Sequence, residues 1–312
     1  MKIKNLGEFG LIGRLRNKIK YSRDVEVGIG DDAAVLKVPG QQHVLLFTVD
    51  NVLEGIHFKK GTDWKLVGRK ALARSLSDIA AMGGIPKHGL ITLGLPERIS
   101  LKSLDTLYVG LLKLAKEFKV DLVGGDITKS PERFFISVAL LGQAKKNQFA
   151  LRRGARAGDL LFVTGTLGGS MAGRHLSFRP RIREAQWLVK SGVVSSMIDI
   201  SDGLLGDLGH LLKECHAGAR LFSRQIPISM AAKDLSKRGG PSALERALKD
   251  GEDYELLFSS RKKDLSWTKK FEKAFNVSVS CIGHVIQKPL KIEFENEKGK
   301  TKELKAKGFT HF

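Results

Sequence analysis

The chain carries acidic residues where a basic protein has least reason to put them. The string GIGDDAAV at 28–35 sets Asp31 and Asp32 side by side among small residues, and Asp50 directly follows the apolar run VLLFTV at 44–49. Asp78 lies inside SLSDIAAMGG at 75–84, Asp126 ends LVGGD at 122–126, and IDISDG at 198–203 carries Asp199 and Asp202. Glu252 and Asp253 follow Gly251 just ahead of another apolar run. With 53 Lys and Arg against 33 Asp and Glu, a net charge of +20, the few acids should scatter among lysines on solvated faces. Burying one unpaired carboxylate is costly, and grouping several is worse unless a cation compensates. Magnesium suits such a set, because it takes hard oxygen ligands at about 2.0–2.1 Å and shares them with substrate phosphates. Any one of these residues could be a turn former or a helix N-cap. Six such sites, each at a strand end or beside glycine, point instead to a shared metal–phosphate site.

Glycine gathers at the same places, at 28–30, 124–125 and 165–169. Without a Cβ the backbone can approach a phosphate and aim N–H groups at it. None of these stretches is a Walker A loop, since no Gly precedes Lys-Ser or Lys-Thr at the required spacing. GIGDD lacks the third glycine of a dinucleotide fingerprint and precedes a strand-like AAVLKV where that motif needs a helix.

These residues need elements to hold them. Apolar runs of strand character lie at 44–49, 90–95 and 134–141, with helical periodicity at 66–82 and 101–118 between them. A polar break at 145–148 is taken as a boundary, giving two domains, 1–144 and 145–312. The second half offers strands at 160–164, 254–258, 277–286 and 291–294, and helices at 182–191, 204–215 and 242–249. The expected fold class is α/β (α+β). No run approaches the roughly 18–20 apolar residues of a bilayer span, and the first residues lack a secretory hydrophobic segment. A cytoplasmic protein without a membrane partner is therefore expected. Cys215 and Cys281 are expected as buried thiols, too few for a cysteine zinc site. The basic excess suggests a polyanionic partner, whether nucleic acid, acidic lipid or phosphorylated metabolite.

In chain order, GIGDDAAV, TVDNVLEGIHF, GRKALARSLSDIAAMGGIP, LVGGD, LRRGARAGDLLFVTGTLGGS, RPR, IDISDGLLGDLGH, GEDYELLF, CIGHVI and the terminal KGFTHF resemble the thiamine-monophosphate kinase family. The resemblance runs from Gly7 to Phe312. It implies transfer of the γ-phosphoryl group of ATP onto the phosphate of thiamine monophosphate, giving thiamine diphosphate. It implies N-terminal sheets that pair across a homodimer into a β-barrel, with a C-terminal α+β domain closing over the nucleotide. By position, Asp32, Thr48, Asp50, Asp78, Asp126, Asp199 and Asp202 are implied as Mg²⁺ ligands. Tyr108, Gly125, Asp126, Arg152 and Ser201 are implied as nucleotide contacts, and His57, Glu252 and Phe309 as contacts to thiamine monophosphate. Tyr108, at helical spacing with Leu104 and Leu111, equally fits core packing. His57 equally fits a packed histidine, Phe309 an anchor for the tail, and Arg152 and Arg153 a solvated pair. The family pattern often has Ser at Arg153, Gly at Asp250 and Tyr or Trp at Phe309.

Phosphoryl transfer needs positioning and charge neutralisation more than covalent chemistry. The acceptor oxygen is already ionised near neutral pH, so no general base is expected and the transfer is direct and in-line. One alternative is another ATP-dependent member of the superfamily, such as an aminoimidazole ribonucleotide synthetase-like enzyme, although that family lacks EGIHF and GEDYEL. A selenophosphate synthetase would need a reactive Cys near the N-terminus. A basic nucleic-acid-binding protein would want aromatics interleaved with its lysines, and the stretches 261–263 and 298–307 carry few.

Overall fold

The computed structural model describes residues 7–306 together with Gly308 and Phe309. Lys307 and residues 310–312 of the terminal KGFTHF string therefore lie outside the described residues.

The first half holds α1 (Glu8–Arg16), β1 (Val25–Val27), β2 (Ala34–Lys37), β3 (His43–Leu53), α2 (Trp64–Ala81), β4 (Ile85–Leu95), α3 (Leu101–Phe118), β5 (Asp121–Lys129) and β6 (Phe135–Lys145). Its strands form one sheet in the order β1-β2-β3-β6-β4-β5. The long β3 pairs antiparallel with β6 from His43↔Lys145 to Leu53↔Phe135. Only β4 and β5 run parallel, and α3 makes the crossover between them. Period-two alternation on β3 buries Val44, Leu46, Thr48 and Val52 on one face and leaves Phe47 and Val49 exposed on the other. β6 adds Ile136, Val138 and Leu140 to the buried face.

Helix α2 covers that buried face. Asp63 caps it by accepting from Lys65 N at 2.9 Å, and it is buried nearly all round by Val67, Ala71, Leu72, Leu76 and Ile79. A helix buried on most faces must be packed on two sides. On one side lie β3, β6 and α3; on the other lie α4 (Arg174–Ser177), α5 (Ile182–Lys190) and β8 (Ser196–Asp199) of the second half.

The second half also contains β7 (Leu160–Thr164), α6 (Leu204–Cys215), β9 (Gly218–Phe222), α7 (Met230–Lys237), α8 (Ala243–Lys249), β10 (Leu256–Ser260), α9 (Ser266–Phe275), β11 (Val279–Ile286), β12 (Ile292–Glu295) and β13 (Thr301–Leu304). Its sheet runs β13-β12-β9-β11-β7-β10-β8 and is covered on both faces. Leu161, Val163, Ile198 and Leu257 pack with Leu204, Leu208 and Leu211 of α6. Phe162 and Phe258, stacked at 5.4 Å, face the other way and share a core with α2, α5 and α9. One apolar core thus reaches from the first sheet through α2 to the second. The architecture is the expected mixed α/β one, with two sheets.

Several elements differ from expectation. Asp50 lies within β3, paired with Val138, and Asp126 lies within β5, paired with Thr92. A polar residue looks like a strand end in sequence, but the ladder continues wherever the backbone is paired. The expected strand at 254–258 starts only at Leu256, because Tyr254 has φ 51°, outside the strand region. Strands β8 and β9 are short and carry Ser, Asp or Arg, so periodicity does not mark them. Cys215 and Cys281 are free and half-buried. Among the described residues no helix is long and apolar enough to cross a membrane.

Candidate active site

Lys70, Arg74 and Asp78 follow each other at i, i+4 and i+8 on α2, one polar stripe about 12 Å long on an otherwise apolar helix. Asp78 accepts a hydrogen bond from Thr48 Oγ1 of β3 at 2.5 Å, and Ser77 beside it donates to Asp199 Oδ2 at the end of β8 at 2.5 Å. Arg74 Nη2 donates to Asp50 Oδ1 of β3 at 3.0 Å. Lys70, fully buried, lies 2.5 Å from Glu252 Oε2. The helix therefore gathers β3, β8 and the loop before β10 onto one line, acidic at its C-terminal end and cationic toward its middle.

At the acidic end, Arg152 Nη2 donates to Asp32 Oδ1 at 2.5 Å, and Arg152 N donates to Asp31. Burial pushes the carboxyls of Asp32, Asp78 and Asp199 upward. Mutual repulsion adds to this: Asp50, Asp199 and Asp32 act on Asp78, and Asp32 acts on Asp199, which rises to about 7. Asp202 and Asp207 extend the set, with Asp207 accepting from Asp202 N at 3.0 Å and its own carboxyl driven well up by burial and then by Asp202.

One oxygen of this donor set makes no hydrogen bond. Asp32 Oδ2 is buried without a hydrogen-bond partner, an arrangement that is costly unless something fills it. Among the described residues no group of three or more His, Cys, Asp or Glu side chains is arranged to hold a metal ion by itself. The chemistry, carboxylate and hydroxyl oxygens only, fits Mg²⁺ whose coordination is completed by phosphate oxygens.

Toward the cationic end opens a pocket of about 160 Å³. His57, Arg74, Ser201, Asp202, Glu252 and Phe309 line it, with Ile56, Met171 and Tyr254 as apolar wall. His57 Nδ1 accepts from Leu53 N at 3.0 Å, and its carbonyl accepts from Lys70 Nζ at 2.6 Å. Glu252 sits at φ 63°, a conformation disfavoured for a residue with a Cβ, and charge pairing holds it there. His175 of α4 lies 2.9 Å from Glu252 Oε2 and 2.8 Å from Lys70 Nζ. Burial opposes ionisation of Glu252, but the His175 hydrogen bond and Lys70 outweigh it and hold the carboxyl at about 2. Burial lowers Lys70 to about 8 against the pull of Glu252. Phe309 is half exposed, and its backbone N–H donates to Asp202 O at 2.9 Å.

Most of the expected residues thus meet. Asp32, Thr48, Asp50, Asp78, Asp199 and Arg152 form the acidic cluster, and His57, Glu252, Phe309, Ser201 and Asp202 the pocket beside it. Three do not join them within this chain. Tyr108 is half-buried on α3, packed on the core. Gly125 and Asp126 lie on the edge strand β5, three strands from β3, about 14 Å at ordinary strand spacing. Register puts Asp126 in the row of Thr92, Ser137 and Asn51, the face opposite to that of Asp50. A Cβ at Gly125 would lie 1.8 Å from Ile91 O, so glycine is required there for strand packing alone. Gly168 is likewise a packing glycine, since its Cβ would meet the backbone of α8 at 2.6 Å, and its N–H donates to the buried Asp253 at 2.7 Å.

Lys70, Arg74, His175 and Asp207 were not anticipated from sequence. Only the charges at i, i+4 and i+8 in an apolar helix could have flagged the first two, and Asp207 stands in the first turn of an apolar helix. His175, in a four-residue helix, gives no local signal.

Known proteins resemble the chain along most of its length. Residues 30–144 fit the model of the AIR synthase related protein, N-terminal domain. The thiamine-monophosphate kinase of Rhodopirellula baltica is 37% identical over 89% of each chain, and that of Escherichia coli K12 is 35% identical over 98% of each. A solved structure of AaThiL complexed with AMPPCP and TMP superposes with a TM-score of 0.85 at 34% identity, covering 100% of this chain and 99% of that one.

Proposed function

The chain belongs to the thiamine-monophosphate kinase family, and from that premise we propose that it transfers the γ-phosphoryl group of ATP onto the phosphate of thiamine monophosphate, releasing ADP and thiamine diphosphate. The observation that carries this reading is the adjacency of two unlike regions along α2. A self-repelling cluster of buried carboxylates, suited to cations and a polyphosphate, abuts a pocket with an aromatic face and a held glutamate, suited to an organic acceptor.

In this reading Asp32, Thr48, Asp50, Asp78, Asp199 and Asp202 hold Mg²⁺. Held there, Mg²⁺ would supply positive charge that offsets the repulsion between two anionic substrates. Arg152, fixed by Asp31 and Asp32, places a permanent positive charge at the same end. Ser201 lies at the junction of cluster and pocket. In the pocket, the Phe309 ring offers a face to a cationic heterocycle, and His57 and Glu252 fix its orientation. With the acceptor oxygen already ionised, no side chain is assigned as general base and the transfer is direct and in-line.

The assembly is part of the proposal. Phe47, Val49 and Leu90 are large apolar side chains exposed on the outer face of the first sheet. A second copy pairing there, sheet to sheet, would cover them and make a barrel. Asp126 and Gly125 stand at the edge of that sheet, so pairing of two copies is what would bring them beside a nucleotide. Residues 1–144 would then provide dimerisation and most cation ligands, and 145–312 the closing wall, in the cytoplasm.

The test is direct. Purified protein with Mg·ATP is offered thiamine monophosphate, thiamine and an aminoimidazole precursor in parallel, and ADP and thiamine diphosphate are measured. Thiamine diphosphate should form with the first alone. ADP no higher than in a magnesium-free blank would refute the reading, and turnover of the precursor would favour the synthetase alternative.

A further inference from the structure

Arg74 is in the pocket wall yet incompletely used. Its Nη2 is anchored on Asp50 Oδ1 at 3.0 Å, but Nη1 lies 3.7 Å from Glu252 Oε1, too long for a hydrogen bond. Glu252 depends on it least, because His175 and Lys70 compensate the other oxygen at 2.9 and 2.5 Å and Arg74 adds only the longer-range attraction. The Nε–H is buried with no acceptor at all. A guanidinium offers five N–H donors in a rigid fork, so several are free for an anion.

The pocket also needs such a cation. Asp202 and Glu252 line it and Asp50 stands behind it, so an incoming phosphate meets carboxylates first. At short range in a partly dry site that repulsion is strong. Arg74 is the one permanently charged cation among the lining residues described, and its side chain is only 14% exposed. We infer that Arg74 binds the phosphate of the acceptor and sets the preference for a phosphorylated over an unphosphorylated ligand. Asp50 orients the fork, and the loose contact to Glu252 is exchanged for phosphate oxygens. Arg74 then both receives the acceptor phosphate and keeps it next to the carboxylate cluster.

This inference rests on the proposed function, and ligand binding separates the two. Thiamine monophosphate and thiamine are titrated calorimetrically into the wild-type protein, Arg74→Gln and Arg74→Lys, without nucleotide. The wild type should favour the phosphate ester, and Arg74→Gln should weaken it by roughly 30-fold while changing thiamine affinity by no more than about twofold. Arg74→Lys, which keeps the charge and loses the fork, should fall between, and it decides the matter should the Gln variant not fold. An unchanged preference in both variants overturns the inference, as does equal weakening of both ligands, which would mark Arg74 as structural. A wild type that binds neither ligand overturns the proposed function itself, and this inference with it.

Discussion

Arg152 donates to one oxygen of Asp32 at 2.5 Å, while the other oxygen of that carboxylate is buried with no partner. The protein satisfies half of the group and leaves the other half without a hydrogen bond. The same tension runs through the whole cluster, and it makes the site's chemistry visible in stability as well as in rate.

Asp78→Asn tests this most simply. Removing a carboxylate that burial and three neighbouring aspartates push upward should raise the melting temperature of the ligand-free protein. Loss of a central oxygen ligand should lower turnover at least roughly 100-fold. A near-normal rate would take Asp78 out of the cation-binding set.

Asp199 contributes to the pH dependence of stability, alongside Asp31 and Asp253, which burial also raises to about 7. The Asp199 carboxyl rises from an ordinary 3.8 to about 7, through burial and then Asp32. Between those values the folded chain keeps a proton that the unfolded chain has released, so stability is full at low pH and declines as pH climbs through the window. Asp199→Asn should flatten that decline, gaining on the order of 2–4 kcal/mol over wild type between pH 4 and 7. Glu252, held at about 2, acts from the lower edge of this window downward, since its contribution is lost as pH falls below its ordinary 4.5, and it does so equally in both proteins. His210, lowered to about 4 by burial, acts in the opposite sense but equally in both proteins. Parallel melting curves for the two proteins across pH 4–7 would contradict this account.

Lys70 and Glu252 should behave as a buried pair. Lys70→Met strands the glutamate beside His175 and should cost about 3–5 kcal/mol in urea unfolding, whereas Lys70→Met with Glu252→Gln should recover part of that loss. A coupling below about 0.5 kcal/mol in the double-mutant cycle would mean that the 2.5 Å contact contributes little.

Pairing through the outer face of the first sheet is tested by Val49→Lys. The residue is 65% exposed and makes no contribution to the core of its own chain, so folding should survive. Sedimentation equilibrium should show dimer for the wild type and monomer for the variant, with activity falling as the dimer dissociates. A wild type that stays monomeric at the highest concentration would rule the pairing out.

What the sequence determined by itself was chemical type and local form. Acidic residues amid glycine and apolar neighbours marked the candidates for a shared cation–phosphate site, because grouping buried carboxylates is costly unless a cation compensates. The helices at α2 and α3 followed from periodicity, since apolar residues recur at helical spacing along each. Tertiary structure decided which acids meet. It put Asp50 inside a strand and turned Asp126 to the opposite sheet face, a choice made by a bulge and a register that no local pattern encodes. It also recruited Lys70, Arg74 and His175, whose roles arise only because α2 is enclosed from both sides. A charge there cannot reach water, so it must find a partner, and that partner lies 182 positions away in the case of Lys70 and Glu252.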